Sequence, residues 1–100
     1  MPLIYHITTA AAWEKAQEIG AYEAASLKEE GYIHCSLENQ IAGVLERYYE
    51  GQTGLLRLTI DTDKLTSAYI YDWSPSTADT FPHIYGPIDL AAVVAVDKIN

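Results

Sequence analysis

The 100-residue chain has little cysteine, few basic residues and no long apolar run. Its single cysteine, Cys35, cannot form an internal disulfide, which excludes a disulfide-stapled scaffold and favours a reducing compartment. The longest apolar runs, such as Ala91–Val96, are far too short to cross a bilayer, so no membrane association is expected. The N-terminal Met-Pro-Leu-Ile lacks the basic and apolar regions of a secretory signal, and we therefore expect a cytoplasmic protein.

The shortage of basic residues also bears on partners. Six Lys and Arg stand against 14 Asp and Glu, which gives a net charge of −8. Nucleic-acid binding needs a surplus of positive charge to displace counterions from the phosphates, so a DNA partner is not expected. A small-molecule ligand remains compatible with this charge, and the sequence leaves the oligomeric state open.

The residues that are present describe an ordinary globular domain. Hydrophobic residues make up 49% of the chain and charged residues 20%, which is typical of a folded protein and not of a disordered one. One hundred residues suffice for one core, so we expect a single domain over residues 1–100.

Patterning predicts strands scattered among helices. β-rich or alternating stretches predict strands at Leu3–Thr8, Tyr32–Ser36, Leu55–Ile60, Ala68–Asp72, Pro82–Tyr85 and Val93–Ile99. Residues 74–80, rich in Ser and Thr around Pro75, are predicted to form a loop. Because the connections between strands vary in length, the pattern favours an α+β fold over a doubly wound parallel sheet.

Two main helices and one short turn of helix are predicted. The first runs from a cap at Thr8 or Thr9 to Ile19, and Gly20 is placed to end it. Ser26–Glu29 has a capping-box pattern and predicts a single turn. Leu37–Glu50 carries the clearest amphipathic stripe, with Ser36 directly before it as the natural N-cap.

The candidate chemistry rests on the three histidines, His6, His34 and His83. Each lies within or beside a predicted strand, and imidazole is the side chain best suited to proton transfer near neutral pH. Satisfied structural histidines are the plain alternative for each one. Because the first two strands feed directly into helices, we expect the three imidazoles to converge on one cleft.

Residues near the histidines divide into candidates for binding and for packing. Tyr32 and Ser36 share a strand face with His34, and Ser36 at a helix start would suit a phosphate or carboxylate. Tyr85 shares a face with His83. Cys35 points to the other face and is expected to be a buried apolar filler. The histidines are separated by 28 and 49 residues with no short-spaced ligand pair, so no metal site is predicted.

Three signatures carry a resemblance to a known family. They are Tyr5-His6-Ile7-Thr8, Glu30-Gly31-Tyr32-Ile33-His34-Cys35-Ser36 and Phe81-Pro82-His83-Ile84-Tyr85-Gly86-Pro87, with Trp13, Ser26-Leu27 and Gln40 between them. The chain resembles domain-of-unknown-function family 952, small bacterial and plant proteins, essentially from end to end. That family is in turn distantly similar to the ADP-ribosyltransferase fold, which implies mixed or antiparallel twisted sheets.

The resemblance assigns roles to individual residues. His6 would hold the ribose next to nicotinamide, and His34 and Ser36 would line the pocket, with Gln40 among the ligand-binding candidates. Asp72 stands near the place where the family often has Glu and would be the catalytic acid. No cofactor is implied, and NAD would be a substrate. RNA 2′-phosphotransferases share the fold and also use His at some of these places.

Two functions remain open at this point. The first is an enzyme of the ADP-ribosyltransferase or phosphotransferase type that binds or processes NAD or a related ribose-phosphate nucleotide through a histidine-lined cleft. The second is a non-catalytic module that binds a small metabolite or a protein. A polar pocket that holds all three histidines with an acid in reach would favour the first.

Overall fold

The computed structural model describes residues 2–99, and its fold is α+β. The strands are β1 (Leu3–Thr9), β2 (Ala21–Tyr22), β3 (Ile33–His34), β4 (Leu55–Asp61), β5 (Tyr69–Ser74), β6 (Asp79–Ile84), β7 (Ile88–Asp89) and β8 (Val93–Lys98). The helices are α1 (Ala10–Ile19), α2 (Ala25–Glu30) and α3 (Ile41–Tyr48), with 3₁₀ turns at Glu38–Gln40, Thr62–Lys64 and Leu90–Ala92.

Within the described residues the strands form three small sheets, ordered β1-β4-β8, β2-β7 and β3-β6-β5. Every pairing between these strands is antiparallel. An isolated bridge between Tyr5 and Ser36 joins β1 to the segment that follows β3. The predicted α+β class with antiparallel sheets is therefore confirmed.

Strand β1 is buried on both faces, and the two faces contact different parts of the core. Ile4 packs with Leu58 and Ile60 of β4 in the larger apolar cluster. Tyr5 and Ile7 point the other way and belong to a second cluster. This alternation is the period of two that a strand imposes, and the same alternation points His6 into the protein rather than to solvent.

Helix α1 follows the prediction closely. Thr9 is its N-cap, and the Thr9 hydroxyl accepts a hydrogen bond from the Ala12 N–H at 3.1 Å. Gly20 ends it in the left-handed conformation at φ +99°, which a glycine adopts without steric cost.

The second main helix is shorter than predicted. Residues 38–40 form a 3₁₀ turn, and the α-helix proper runs only from Ile41 to Tyr48. The prediction of Ser36 as N-cap is wrong: Leu37 holds that position, and its N–H donates to Gln40 Oε1 at 2.9 Å. Ser36 is instead tied to Tyr5 of β1 by reciprocal backbone hydrogen bonds of 2.7 and 2.8 Å.

The predicted loop at residues 74–80 is mostly the end of a hairpin. Strands β5 and β6 pair from Tyr69–Ile84 to Ser74–Asp79, which leaves only residues 75–78 as the turn. Ala78 takes a positive φ of 52° in that turn. The predicted strand Pro82–Tyr85 overlaps the longer β6, and His83 lies inside β6.

Candidate functional site

A cleft of about 610 Å³ opens beside β3 and β6, with the end of α3 and the β5–β6 hairpin contributing to its walls. Its side chains are mainly imidazoles, aromatic rings and small polar groups. They are His6, Ile7, Glu30, Tyr32, His34, Cys35, Ser36, Val44, Tyr48, Tyr49, Trp73, Ser74, Pro75, Phe81 and His83. The structure therefore brings all three histidines to one cleft, whose volume is ordinary for a small-molecule site.

The strand register places His34 and His83 side by side. In the β3–β6 pair Ile33 lies opposite Ile84 and His34 opposite His83. The two isoleucines are fully buried, so the pleat turns both imidazoles to the other face. Their ring centroids are 5.2 Å apart and the planes meet at 80°. Two residues 49 positions apart in sequence thus meet through cross-strand pairing.

His34 is oriented by Glu30, the last residue of α2. The carboxylate accepts a hydrogen bond from His34 Nε2–H at 2.8 Å. A carboxylate only accepts, so it fixes the proton on Nε2 and leaves Nδ1 of the neutral ring with a lone pair. Among the described residues this Nδ1 has no hydrogen-bond partner. Both side chains are about half exposed, at 53% and 48%.

His83 is oriented in the same way by Asp72 of β5. Because Ile70 is directly opposite His83, Asp72 is its diagonal neighbour on the same face. Asp72 Oδ2 accepts from His83 Nδ1–H at 2.8 Å and also from the Tyr85 hydroxyl. These hydrogen bonds, from Tyr85 first and then from His83, lower the pKa of Asp72. In the described part of the chain His83 Nε2 has no partner and is the available nitrogen.

Tyr32 packs among the rings of this group. It stacks on His83 with centroids 4.2 Å apart and planes inclined by 16°. It also meets His34 edge-on at 4.9 Å and Tyr85 at 5.4 Å. This packing restrains both imidazoles and leaves the Tyr32 side chain partly open to the cleft. Tyr85 is not among the lining residues, and its hydroxyl donates to the same Asp72 oxygen that orients His83.

His6 is held quite differently. It is only 7% exposed, Nδ1 lies 2.6 Å from the His34 carbonyl oxygen, and Nε2 lies 2.8 Å from the Tyr22 hydroxyl. The Tyr22 hydroxyl is in turn 2.9 Å from Thr8 Oγ1. Burial lowers the pKa of His6 to about 4, so the ring is neutral at physiological pH. A carbonyl only accepts, so Nδ1 carries the proton of the neutral ring, and Nε2 faces the Tyr22 hydroxyl, which donates to Thr8 Oγ1.

The remaining candidates split between the cleft and the framework. Ser36 lines the cleft but is 95% buried, since it is 5% exposed. Cys35 is also buried, and burial raises the pKa of its thiol, which suits an unreactive filler. Gln40 lies outside the lining, because its Nε2 donates to Asp79 Oδ2 at 2.9 Å and to the Thr80 carbonyl at 2.7 Å. It clamps the start of the helix to the hairpin.

Over residues 2–99, no group of three or more His, Cys, Asp or Glu could hold a metal ion.

Comparisons with known proteins found a matching family model and similar solved structures. The model of DUF952, described as a protein of unknown function, matches residues 7–96. The chain belongs to this family. The crystal structure of protein CC0527 from Caulobacter crescentus has a TM-score of 0.89 at 27% identity, covering 99% of this chain and 87% of that one. The solution NMR structure of CC0527 gives 0.84 at 28% identity, covering 100% and 86%. A comparison with curated proteins found no significant match.

This DUF952 fold places several residues in the cleft that sequence reasoning did not select. Glu30 appeared only within the signature before His34, and Phe81 only before His83. Trp73, 62% exposed, lies in β5, at the one position between the predicted strand Ala68–Asp72 and the predicted loop at residues 74–80. The signal for Glu30 was its position four residues before His34. The helix ends at Glu30, so the helical i,i+4 rule does not pair the two residues. No helix in the described part of the chain is long and apolar enough to span a membrane.

Proposed function

We propose that the cleft binds a small ring-bearing ligand and that His34 and His83 act on it as an acid–base pair. The observation that carries this proposal is their matched arrangement. Each imidazole gives one N–H to a carboxylate and keeps its other nitrogen unoccupied. A carboxylate that orients an imidazole also stabilises the imidazolium formed when the ring takes a proton. One ring can therefore accept a proton from the ligand while the other, already protonated, donates one.

NAD or a related ribose-phosphate nucleotide is the ligand class that we propose, on the resemblance to the ADP-ribosyltransferase fold inferred from the sequence. Cleavage of the nicotinamide–ribose bond builds positive charge on the sugar, and a carboxylate beside it stabilises that charge. Glu30 lines the cleft and one of its oxygens is bound to His34. Asp72 is engaged by both His83 and Tyr85, so Glu30 is the better acid for this role and Asp72 is a positioning residue.

His6 has a different part in this proposal. Both of its ring nitrogens have partners within the protein, and one partner is the backbone carbonyl of His34 itself. It therefore fixes the backbone position of His34, and it holds ribose only if Tyr22 or the His34 carbonyl releases it. RNA 2′-phosphotransfer is the related alternative chemistry, and it would use the same two imidazoles.

Calorimetric titration with NAD, ADP-ribose and adenine nucleotides, followed by an assay of nicotinamide release, tests the proposal. We expect millimolar or tighter binding that falls at least tenfold in His34→Ala and in His83→Ala. Glu30→Gln should lose turnover, whereas the neighbouring Glu29→Gln, which does not line the cleft, should match the parent. Absence of binding to every ligand at millimolar concentration would refute the proposal.

A non-catalytic binding module is the second candidate, and one observation favours it. The cleft is walled by exposed or half-exposed aromatic side chains from α3 and the hairpin, such as Tyr48 and Trp73, which suit ring stacking without chemistry. Binding without turnover of any ligand, unchanged in Glu30→Gln, would support this candidate. Turnover that disappears in His34→Ala would contradict it.

A further inference from the structure

The charges around the cleft bear on whether it can bind the phosphate group of a nucleotide. Glu30 and Asp72 each carry a negative charge, and each is hydrogen-bonded to one imidazole. With both imidazoles neutral the four groups sum to −2, and with both protonated they sum to zero. At no ordinary pH does this group present a net positive charge to an incoming phosphate.

No fixed cation compensates within the cleft. Among residues 2–99, no Lys or Arg contributes to the lining. Arg47 contacts Tyr48 of the wall, with its guanidinium 5.8 Å from the ring centroid, but does not itself line the space. The whole chain carries −8, so the long-range field also repels an anion.

The backbone N–H groups of Ser36 and of the residue after it are already used. The Ser36 N–H donates to the Tyr5 carbonyl at 2.7 Å, and the Leu37 N–H donates to Gln40 Oε1 at 2.9 Å. The first two amides at this turn therefore do not point at the cleft as an open anion site, in contrast to the expectation from sequence. Phosphate binding by either of these two amides would need its hydrogen bond to break.

The rest of the lining suits a planar ring. Phe81 and Trp73 come from the hairpin, and Tyr48 and Tyr49 from the end of α3. Aromatic faces attract a second ring and attract it more strongly when that ring carries positive charge. A neutral or cationic ring thus finds favourable contacts in the same cleft that offers none to phosphate.

Resting on the function proposed above, we propose that the cleft recognises a neutral or cationic ring with its attached sugar, and that phosphate groups of the ligand stay outside and add no affinity. Nicotinamide riboside, whose ring is cationic, and adenosine, whose ring is neutral, represent the two accepted classes. Their 5′-phosphates, nicotinamide mononucleotide and AMP, differ only by the group that the cleft should reject.

The test is titration of the intact protein with these four compounds and with inorganic phosphate. We expect each nucleoside to bind at least as tightly as its 5′-phosphate, nicotinamide riboside to bind more tightly than adenosine, and Glu30→Gln to weaken nicotinamide riboside severalfold more than adenosine. Glu29→Gln serves as the matched control and should change neither affinity.

Different outcomes of this titration would overturn the inference alone or the inference together with the proposed function. Tighter binding of the 5′-phosphates that still falls in His34→Ala, or that falls in Arg47→Ala, would overturn the inference and leave the acid–base cleft standing. Absence of binding of all four compounds would overturn both. Nucleoside binding that is unchanged in both His34→Ala and His83→Ala would place the ligand elsewhere and would also overturn the inference.

Discussion

His6 and the His34–His83 pair lie against the same cleft, yet the protein treats them in opposite ways. His6 is buried, and the His34 carbonyl and the Tyr22 hydroxyl occupy its two nitrogens. His34 and His83 each give one nitrogen to a carboxylate and keep the other without a partner in the described structure. The comparison separates a histidine whose two ring nitrogens both have protein partners from two histidines that each have only one such nitrogen.

Replacing the buried His6 should have the largest effect on stability. His6→Ala leaves the Tyr22 hydroxyl and the His34 carbonyl with one partner fewer in the core and opens a void. We expect a loss of about 3 kcal/mol in the free energy of unfolding, measured by denaturant titration. His34→Ala, at a half-exposed position, should cost less than about 1 kcal/mol. Equal losses in the two variants would remove the distinction.

Acid should destabilise the protein through His6. The pKa of His6 is about 4 in the folded state against 6.5 for an ordinary histidine, so the unfolded chain binds the extra proton first. The contribution of neutral His6 to the free energy of unfolding is fully present above pH 6.5. It is lost progressively as the pH falls toward 4, by about 3 kcal/mol in total. Denaturant titrations at several pH values should show this loss, and His6→Asn, which does not titrate, should lack it. A parallel pH dependence in the two proteins would contradict the assignment.

Gln40 provides a buried polar group that supports the fold and is separate from the histidines. Its side chain satisfies Leu37 N–H, Asp79 and the Thr80 carbonyl from a buried position. Gln40→Ala should therefore lower the free energy of unfolding by about 2 kcal/mol while leaving the tautomers of His34 and His83 unchanged. The exposed neighbour Asn39 offers a control, since Asn39→Ala should cost well under 1 kcal/mol. A Gln40→Ala protein as stable as the control would mean that the clamp contributes nothing.

Replacing Asp72 should have the smallest effect, a change in the pKa of Tyr85. The hydrogen bond to the Asp72 carboxylate raises the pKa of Tyr85 to about 12 from its usual 10.0. In Asp72→Asn the charge is gone, and the Tyr85 pKa should fall back toward 10.0. NMR titration of the tyrosine Cζ resonances, assigned with Tyr85→Phe, measures this shift. An unchanged Tyr85 titration would show that the carboxylate does not hold the hydroxyl.

The sequence predicted the local elements and the candidates, but not the contacts that give them roles. Alternation in Leu3–Thr8 and the capping of α1 by Thr9 are local patterns, and the structure follows them. The β3–β6 register is non-local, and without it nothing pairs His34 with His83. The two-residue pair β2–β7 is too short to leave a periodic signal. The helix start was misjudged because Gln40 reaches back to Leu37 and Ser36 is bound to β1.

The most direct test of the central claim observes all three imidazoles at once. With ¹⁵N-histidine-labelled protein near neutral pH, long-range ¹H–¹⁵N spectra should show the proton on Nδ1 in His6 and His83 and on Nε2 in His34. Addition of nicotinamide riboside should shift the unprotonated nitrogens, Nδ1 of His34 and Nε2 of His83, and leave both nitrogens of His6 in place. A shift confined to His6, or unperturbed His34 and His83 with the ligand bound, would contradict the account.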